Sequence, residues 1–169
     1  MTSVRPATTE DARAIADIQV ETWRAAYVGV MPQRVLDELD VEARERMWRS
    51  WTAAPDWAVF VGERSGRTVG FVSVGPSRDQ EGIGELPAIY VSPAAWGTGA
   101  GRALMDAGVA WLKERWSEAI LWVAEENPRA RRFYERYGWK LDGEGKVDEV
   151  ARGALVAVVR YRLSGLDRL

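Results

Sequence analysis

The spacing of apolar positions changes several times along the chain, and each change marks an element. Ala12, Ile15, Ala16, Ile18 and Trp23 recur near helical spacing behind Thr8 and Asp11, a capping-box-like pair, which predicts a helix over 10–26. Gly29 stops it. Pro32 opens a second helical piece through Leu39, and 41–53 makes a third, with Met47, Trp48 and Trp51 on one side. Two β-rich runs, 57–62 and 68–74, flank Glu63-Arg64-Ser65-Gly66-Arg67 and read as a hairpin. A polar turn follows at 76–82, then a strand at 83–91. Helical spacing returns over 99–116 and 129–137, with a strand at 119–124 between them and Gly138 closing the second helix. An opening strand at 4–7, and strands at 139–141 and 154–163 around a Gly/Asp/Glu-rich loop, complete the series. The alternation predicts one α/β or α+β domain, a sheet of six or seven strands with helices on its faces.

Composition narrows the chemistry. The 169 residues contain no cysteine and no histidine. That excludes disulfides, zinc sites built on those ligands and Ser-His or Cys-His nucleophile pairs, and it leaves proton transfer to Glu, Asp, Tyr, Lys or water. No metal is expected. A formal net charge of −2 offers no bulk attraction to nucleic acid or an anionic membrane. Without a basic-then-apolar leader or an apolar run near ~18 residues, a cytoplasmic location is expected.

The stretch 86–105 carries the first chemical signal. The apolar run Ala88, Ile89, Tyr90, Val91 meets a Ser-Pro breaker, then Trp96-Gly97-Thr98-Gly99-Ala100-Gly101, then Arg102, Ala103 and a helix. Glycines let backbone amides approach a ligand closely, and a helix start adds unpaired N–H groups and the positive end of its dipole. Such a terminus binds phosphate. A Walker loop would require Gly-Lys-Ser/Thr, whereas Gly101 is followed by Arg102 and Ala103; a dinucleotide fingerprint would require glycine where Arg102 stands.

The second signal is Asn127-Pro128-Arg129-Ala130-Arg131-Arg132-Phe133-Tyr134-Glu135-Arg136-Tyr137-Gly138-Trp139. By itself it is an amphipathic helix with Asn127 near its N-cap and Ala130, Phe133, Tyr134 and Tyr137 on the apolar side. It also resembles the Asn-x-x-Ala-x-x-Phe-Tyr-x-x-x-Gly-Phe segment of GNAT-superfamily N-acetyltransferases. The glycine loop is similar to the Gln/Arg-x-x-Gly-x-Gly/Ala loop with which that family holds the pyrophosphate of acetyl-CoA. Both motifs lie in the family's order, and the one departure in the loop is Trp96, where the family has Gln or Arg.

The resemblance implies a mixed sheet whose fourth and fifth strands splay into a slot for the pantetheine arm. It implies that the 88–91 backbone, including Ile89, Tyr90 and Val91, hydrogen-bonds the pantetheine amides. Residues 96–103, with Asn127, Ala130 and Tyr134, complete the acetyl-CoA site, and Arg102, Arg131 and Arg132 are candidates to neutralise phosphate. Tyr134 matches the family position whose phenol protonates the departing thiolate. Glu85 matches a frequent glutamate base, acting directly or through water, and the Val91 N–H matches the oxyanion donor. The absence of cysteine excludes an acetyl-cysteine intermediate, which favours direct attack by the amine in a ternary complex.

The acceptor is expected opposite CoA, a small-molecule or peptide amine, with Trp23, Tyr27, Trp48 and Trp51 as candidate walls. The acidic run Asp37-Glu38-x-Asp40-x-Glu42 would suit a polycation. Two other readings remain: a non-catalytic acyl-CoA sensor of the same fold, and a regulator contacting nucleic acid through Arg129, Arg131, Arg132 and Arg136, which the acidic balance disfavours. A homodimer through the sheet edge at 154–163 is compatible with the fold.

Overall fold

The chain enters through a short strand, β1 (Ser3–Pro6), in a computed structural model that describes residues 1–151 and 153–169. Arg5 on this strand donates to Asp11 (Nη1–Oδ2 2.8 Å) and to Glu63 (Nη2–Oε1 2.7 Å), while the Thr8 amide donates to Asp11 Oδ2 at 2.8 Å. These bonds fix the start of α1 (Ala12–Ala26), which a 3₁₀ turn at Thr9–Asp11 precedes. Two further helices follow, α2 (Gln33–Asp37) and α3 (Val41–Thr52), the latter capped by Asp40 through its bond from the Ala43 amide.

The sheet is built from β1, β2 (Ala58–Arg64), β3 (Arg67–Pro76), β4 (Gly84–Val91), β5 (Glu118–Ala124), β6 (Lys140–Ala151) and β7 (Ala154–Ser164), in the order β1-β2-β3-β4-β5-β7-β6. Ser65 and Gly66 both have positive φ and close the β2–β3 hairpin with the twist that adjacent strands require. Between β4 and β5 runs α4 (Ala100–Lys113); between β5 and β6 runs α5 (Pro128–Tyr137), N-capped by Asn127 and ended at Gly138, whose φ is +120°.

Alternation along the strands sends side chains to both faces. Val72, Val74, Leu86 and Leu121 pack under α4 and α5 with Leu104, Met105 and Leu112, whereas Val59, Val61, Phe71 and Ala88 pack under α1 and α3. A third cluster joins Trp23, Tyr27 and Leu36 to Ala124, Val156 and Val158. With helices on both faces, the crossover from β4 through α4 makes β4 and β5 the parallel pair of the sheet.

The stretch between residues 141 and 154, expected as a loop, is mostly strand. It reads poorly because β6 is an edge strand, mostly exposed and charged, with register shifts at Leu141/Gly145 and Glu149/Ala151. An edge strand needs no apolar alternation when pairing with β7 specifies it. Among the described residues no helix is long and apolar enough to cross a membrane.

Candidate active site

β4 and β5 are paired only at Gly84–Ala119 and Glu85–Ile120. Beyond that point Pro87 offers no N–H, and an irregularity in the β3–β4 ladder opposite Ser73–Gly75 turns β4 away from β5. The two strands therefore separate toward their C-terminal ends, and a cleft of about 1070 Å³ opens between them. Ile89, Tyr90 and Val91 form one wall, Trp122, Val123 and Ala124 the other, and Asn127, Ala130 and Tyr134 the α5 side.

Backbone direction follows from the ladder. The Ser92 amide donates to Val69 O at 2.8 Å, so Ser92 faces β3. In an antiparallel pair successive residues point their N–H and C=O groups to opposite sides, which turns Ile89 and Val91 toward the cleft and Tyr90 toward β3. The exposed edge of β4 can thus accept an extended amide-bearing ligand as an added strand.

At the end of β4, Gly97 (φ +75°) and Gly99 (φ +88°) adopt left-handed backbone that a side chain would strain, and a Cβ at either would meet nothing within 4 Å. The first bond of α4 runs from the Ala103 amide to Gly99 O (3.1 Å), leaving the amides of Ala100, Gly101 and Arg102 without intrahelical acceptors. Loop and helix start together form an open, amide-lined cradle. Thr98 instead serves the loop itself, its hydroxyl donating to Ala95 O at 2.6 Å, and Ala100 is buried. Thr98, Ala100 and Ala103 do not line the cleft; Trp96, Gly97, Gly99, Gly101 and Arg102 do.

Trp96 has a specific job in this chain. Its indole N–H donates to Val91 O at 2.7 Å, and the Arg129 guanidinium lies 3.5 Å over its ring. The stack spans the mouth of the cleft from the loop to α5. Arg129 and Arg132 line that mouth. The Arg102 guanidinium pairs with Asp106 (3.1 Å) and stacks on Tyr137. Arg131 turns away, donating to the Tyr161 hydroxyl (3.0 Å) and to Glu125 O (3.2 Å).

Tyr134 is 8% exposed and lines the cleft beside Tyr27 and Tyr90. Burial, reinforced by those two phenols, pushes its pKa well above the ordinary tyrosine value, so the hydroxyl stays protonated and able to donate. Glu85, expected as a base, lies behind the cleft wall rather than on it. It is 1% exposed, does not line the cleft, and both oxygens hold Arg78: Nη2–Oε1 2.7 Å, Nε–Oε2 3.2 Å, and the Arg78 amide to Oε2 2.9 Å. Arg78, invisible as a site residue in its polar turn, reaches the cleft in its place.

The far half of the cleft is aromatic, with Trp23, Tyr27, Trp48 and Trp51 joined by Trp122. Asn127 holds the start of α5 through its bond from the Ala130 amide (3.1 Å). Lys146, Asp148 and Val150 of β6 reach the same end. The acidic run does not line the cleft; Asp40 caps α3 and Asp37 accepts from Gln33.

This architecture recurs in known proteins. The PaiA N-acetyltransferase of Thermoplasma acidophilum, solved in complex with coenzyme A, superposes with a TM-score of 0.75 at 16% identity, covering 94% of this chain and 98% of that one. YncA of Salmonella typhimurium, solved with its cofactor acetyl-CoA, gives 0.74 at 21% identity over 99% and 95% of the two chains. In sequence, the uncharacterized N-acetyltransferase YuaI of Bacillus subtilis is 38% identical over 81% of this chain and 79% of its own length. The uncharacterized N-acetyltransferase Rv2669 of Mycobacterium tuberculosis is 30% identical over 79% and 85%. The model of the Acetyltransferase (GNAT) family matches residues 14–139, and the glycine cradle, the splayed strands and the α5 phenol accordingly belong to an acyltransferase: the chain is a member of the GNAT acetyltransferase family.

Proposed function

We propose that this protein transfers an acetyl group from acetyl-CoA to a primary amine by direct attack in a ternary complex. The observation that carries this reading is the cleft between β4 and β5, which leads from an amide-lined glycine cradle to a buried, protonated phenol. The cradle suits the pyrophosphate, and the Ile89 and Val91 edge suits the two pantetheine amides.

Acetyl-CoA supplies an activated acetyl carbon and a thiol leaving group. The N–H of Ile89, turned into the cleft and farther from the glycine loop than Val91, donates to the carbonyl oxygen as charge develops on it. Tyr134 gives its phenolic proton to the sulfur as the carbon–sulfur bond breaks and the carbon–nitrogen bond forms, and it is reprotonated from solvent. The amine proton leaves to water. Glu85 is a positioning residue in this scheme, holding Arg78 at the cleft wall.

Two measurements together test the proposal: acetyl-CoA binding by calorimetry and free-thiol release against a broad panel of primary amines. Binding with thiol release and an acetylated amine by mass spectrometry is expected. Binding with no acetylation across the panel would support the acyl-CoA sensor instead, and no binding would overturn both.

A further inference from the structure

α5 carries two groups of the site, the Tyr134 phenol and the Arg129 guanidinium, yet little apolar burial holds it in place. Of its ten residues Tyr134 alone is buried, and four of the others are arginines. Helices in proteins are held mainly by packing an apolar face, so a helix with so little of one depends on directional bonds for its seat.

Those bonds converge on one residue of β7. Tyr161 is fully buried, and its hydroxyl lies between Arg131 and Glu135, which stand one turn apart on α5. It accepts from Arg131 Nε at 3.0 Å and donates to Glu135 Oε1 at 2.7 Å. Burial, against the bond from Arg131, raises its pKa, so the proton it gives to Glu135 is kept at neutral pH. Arg131 also donates through Nη1 to Glu125 O at 3.2 Å, just past the end of β5 and so beside the second wall of the cleft. The Tyr161 ring itself packs on the Tyr134 ring, with centroids 6.3 Å apart. One side chain thus touches the phenol and bonds the helix three residues before it and one residue after it.

The far end of α5 is tied separately, by the Tyr137 hydroxyl donating to Asp106 of α4 at 2.8 Å. The exposed stack of Arg129 on Trp96 is a softer tie at the near end. Without the Tyr161 bonds the helix would stay attached at its C-terminal turn and pivot there, carrying Tyr134 with it. Among the described residues no side chain bonds the Tyr134 hydroxyl, so nothing at the phenol corrects such a pivot.

Resting on the acetyl-transfer reading, in which Tyr134 protonates the departing thiolate, we infer that Tyr161 is a positioning residue: through Arg131 and Glu135 it holds α5 so that the phenol meets the sulfur. Arg131, a candidate phosphate ligand by sequence, serves this seat instead.

Tyr161→Phe keeps the ring and removes both bonds. A misplacement of ~1 Å at a reacting group costs about a hundredfold in rate, so a partial shift is expected to lower kcat about tenfold, with acetyl-CoA affinity by calorimetry changed by no more than about twofold. The rate is read with acetyl-CoA and the amine acetylated fastest in the panel above. Glu135→Ala, at an exposed position, removes the acceptor without disturbing the core and should lower kcat in the same way, whereas Glu135→Gln keeps an acceptor oxygen and should restore most of it. Amide hydrogen exchange across 128–137 reads the seat without turnover and should quicken in Tyr161→Phe. The double variant separates positioning from a merely structural role. In the Tyr134→Phe background no phenol is left to aim, so adding Tyr161→Phe should leave kcat unchanged; a further loss of about tenfold would overturn the inference. So would Tyr161→Phe with unaltered kcat, Glu135→Gln as slow as Glu135→Ala, or unaltered exchange over 128–137. Each of those results leaves the acid role standing. Full activity in Tyr134→Phe would overturn that role, and the inference with it, so the two failures are told apart.

Discussion

Arg129→Ala perturbs the point at which this chain departs from its family. The guanidinium lies 3.5 Å over the Trp96 ring at the mouth of the cleft, beside the cradle proposed to hold pyrophosphate. The stack exists without ligand, so its own energy, about 0.5–1 kcal/mol at an exposed site, does not enter the affinity directly. What it supplies is a cation already held in place, with little side-chain freedom left to lose on binding. A unit charge at ~4 Å from a phosphate oxygen is worth about 1 kcal/mol in water and ~4 kcal/mol at an effective dielectric near 20. Arg129 is exposed, which favours the lower part of that range, about 1–2 kcal/mol. The expected loss is therefore roughly 5- to 30-fold in acetyl-CoA affinity. Calorimetry at low salt measures it, with acetyl-pantetheine, which lacks the pyrophosphate, as the control. The difference between Arg129→Ala and the unmodified protein should shrink as salt rises toward ~0.15 M, where the screening length is about 8 Å. Trp96→Gln removes the platform while restoring the family's side chain, and Arg129→Lys keeps the charge without the flat stack; both should fall between the extremes. An Arg129→Ala affinity equal to that of the unmodified protein at low salt would refute the reasoning, and so would an equal loss for acetyl-pantetheine.

Three further outcomes are expected. Tyr134→Phe should lower kcat by about a hundredfold with acetyl-CoA affinity little changed. Because burial keeps this phenol, like its neighbours Tyr27 and Tyr90, protonated far above neutral pH, the limbs of the pH–rate profile should stay in place. Glu85→Gln should free Arg78, raising the acceptor KM several-fold and leaving the acid limb of kcat/KM intact; a shifted acid limb would restore Glu85 as the base. Asp11, whose pKa is lowered chiefly by its bonds from Arg5 and also by the Thr8 amide, stabilises the fold above the unfolded carboxyl value and loses that contribution as pH falls through its folded one. Asp11→Asn should thus cost about 1–2 kcal/mol at pH 7, and the gap in denaturant melts should close below ~pH 4.

The sequence by itself determined the order of elements, the glycine loop and the α5 motif, because each depends on chemistry within one or two turns of chain. Helical spacing, glycines that tolerate left-handed backbone and an N-cap at Asn127 are local properties, and they recur in place. The helix face that carries Tyr134 was legible for the same reason, whereas the acid role proposed for its phenol came from the family resemblance. What only the tertiary structure decided are contacts between distant segments. Arg78 folds back from its turn onto both oxygens of Glu85, the glutamate that the family resemblance offers as a base, and Arg129 arrives from α5 to lie on Trp96, the loop's departure from the family. β6 carries no apolar alternation of its own and becomes a strand because β7 offers it hydrogen-bond partners. The acceptor compartment belongs to the same class: Thr22, Trp48, Arg78, Trp122 and Lys146 come from five separate segments. Spacing along one element cannot reveal that they share a cavity, because their meeting depends on where β4 and β5 part.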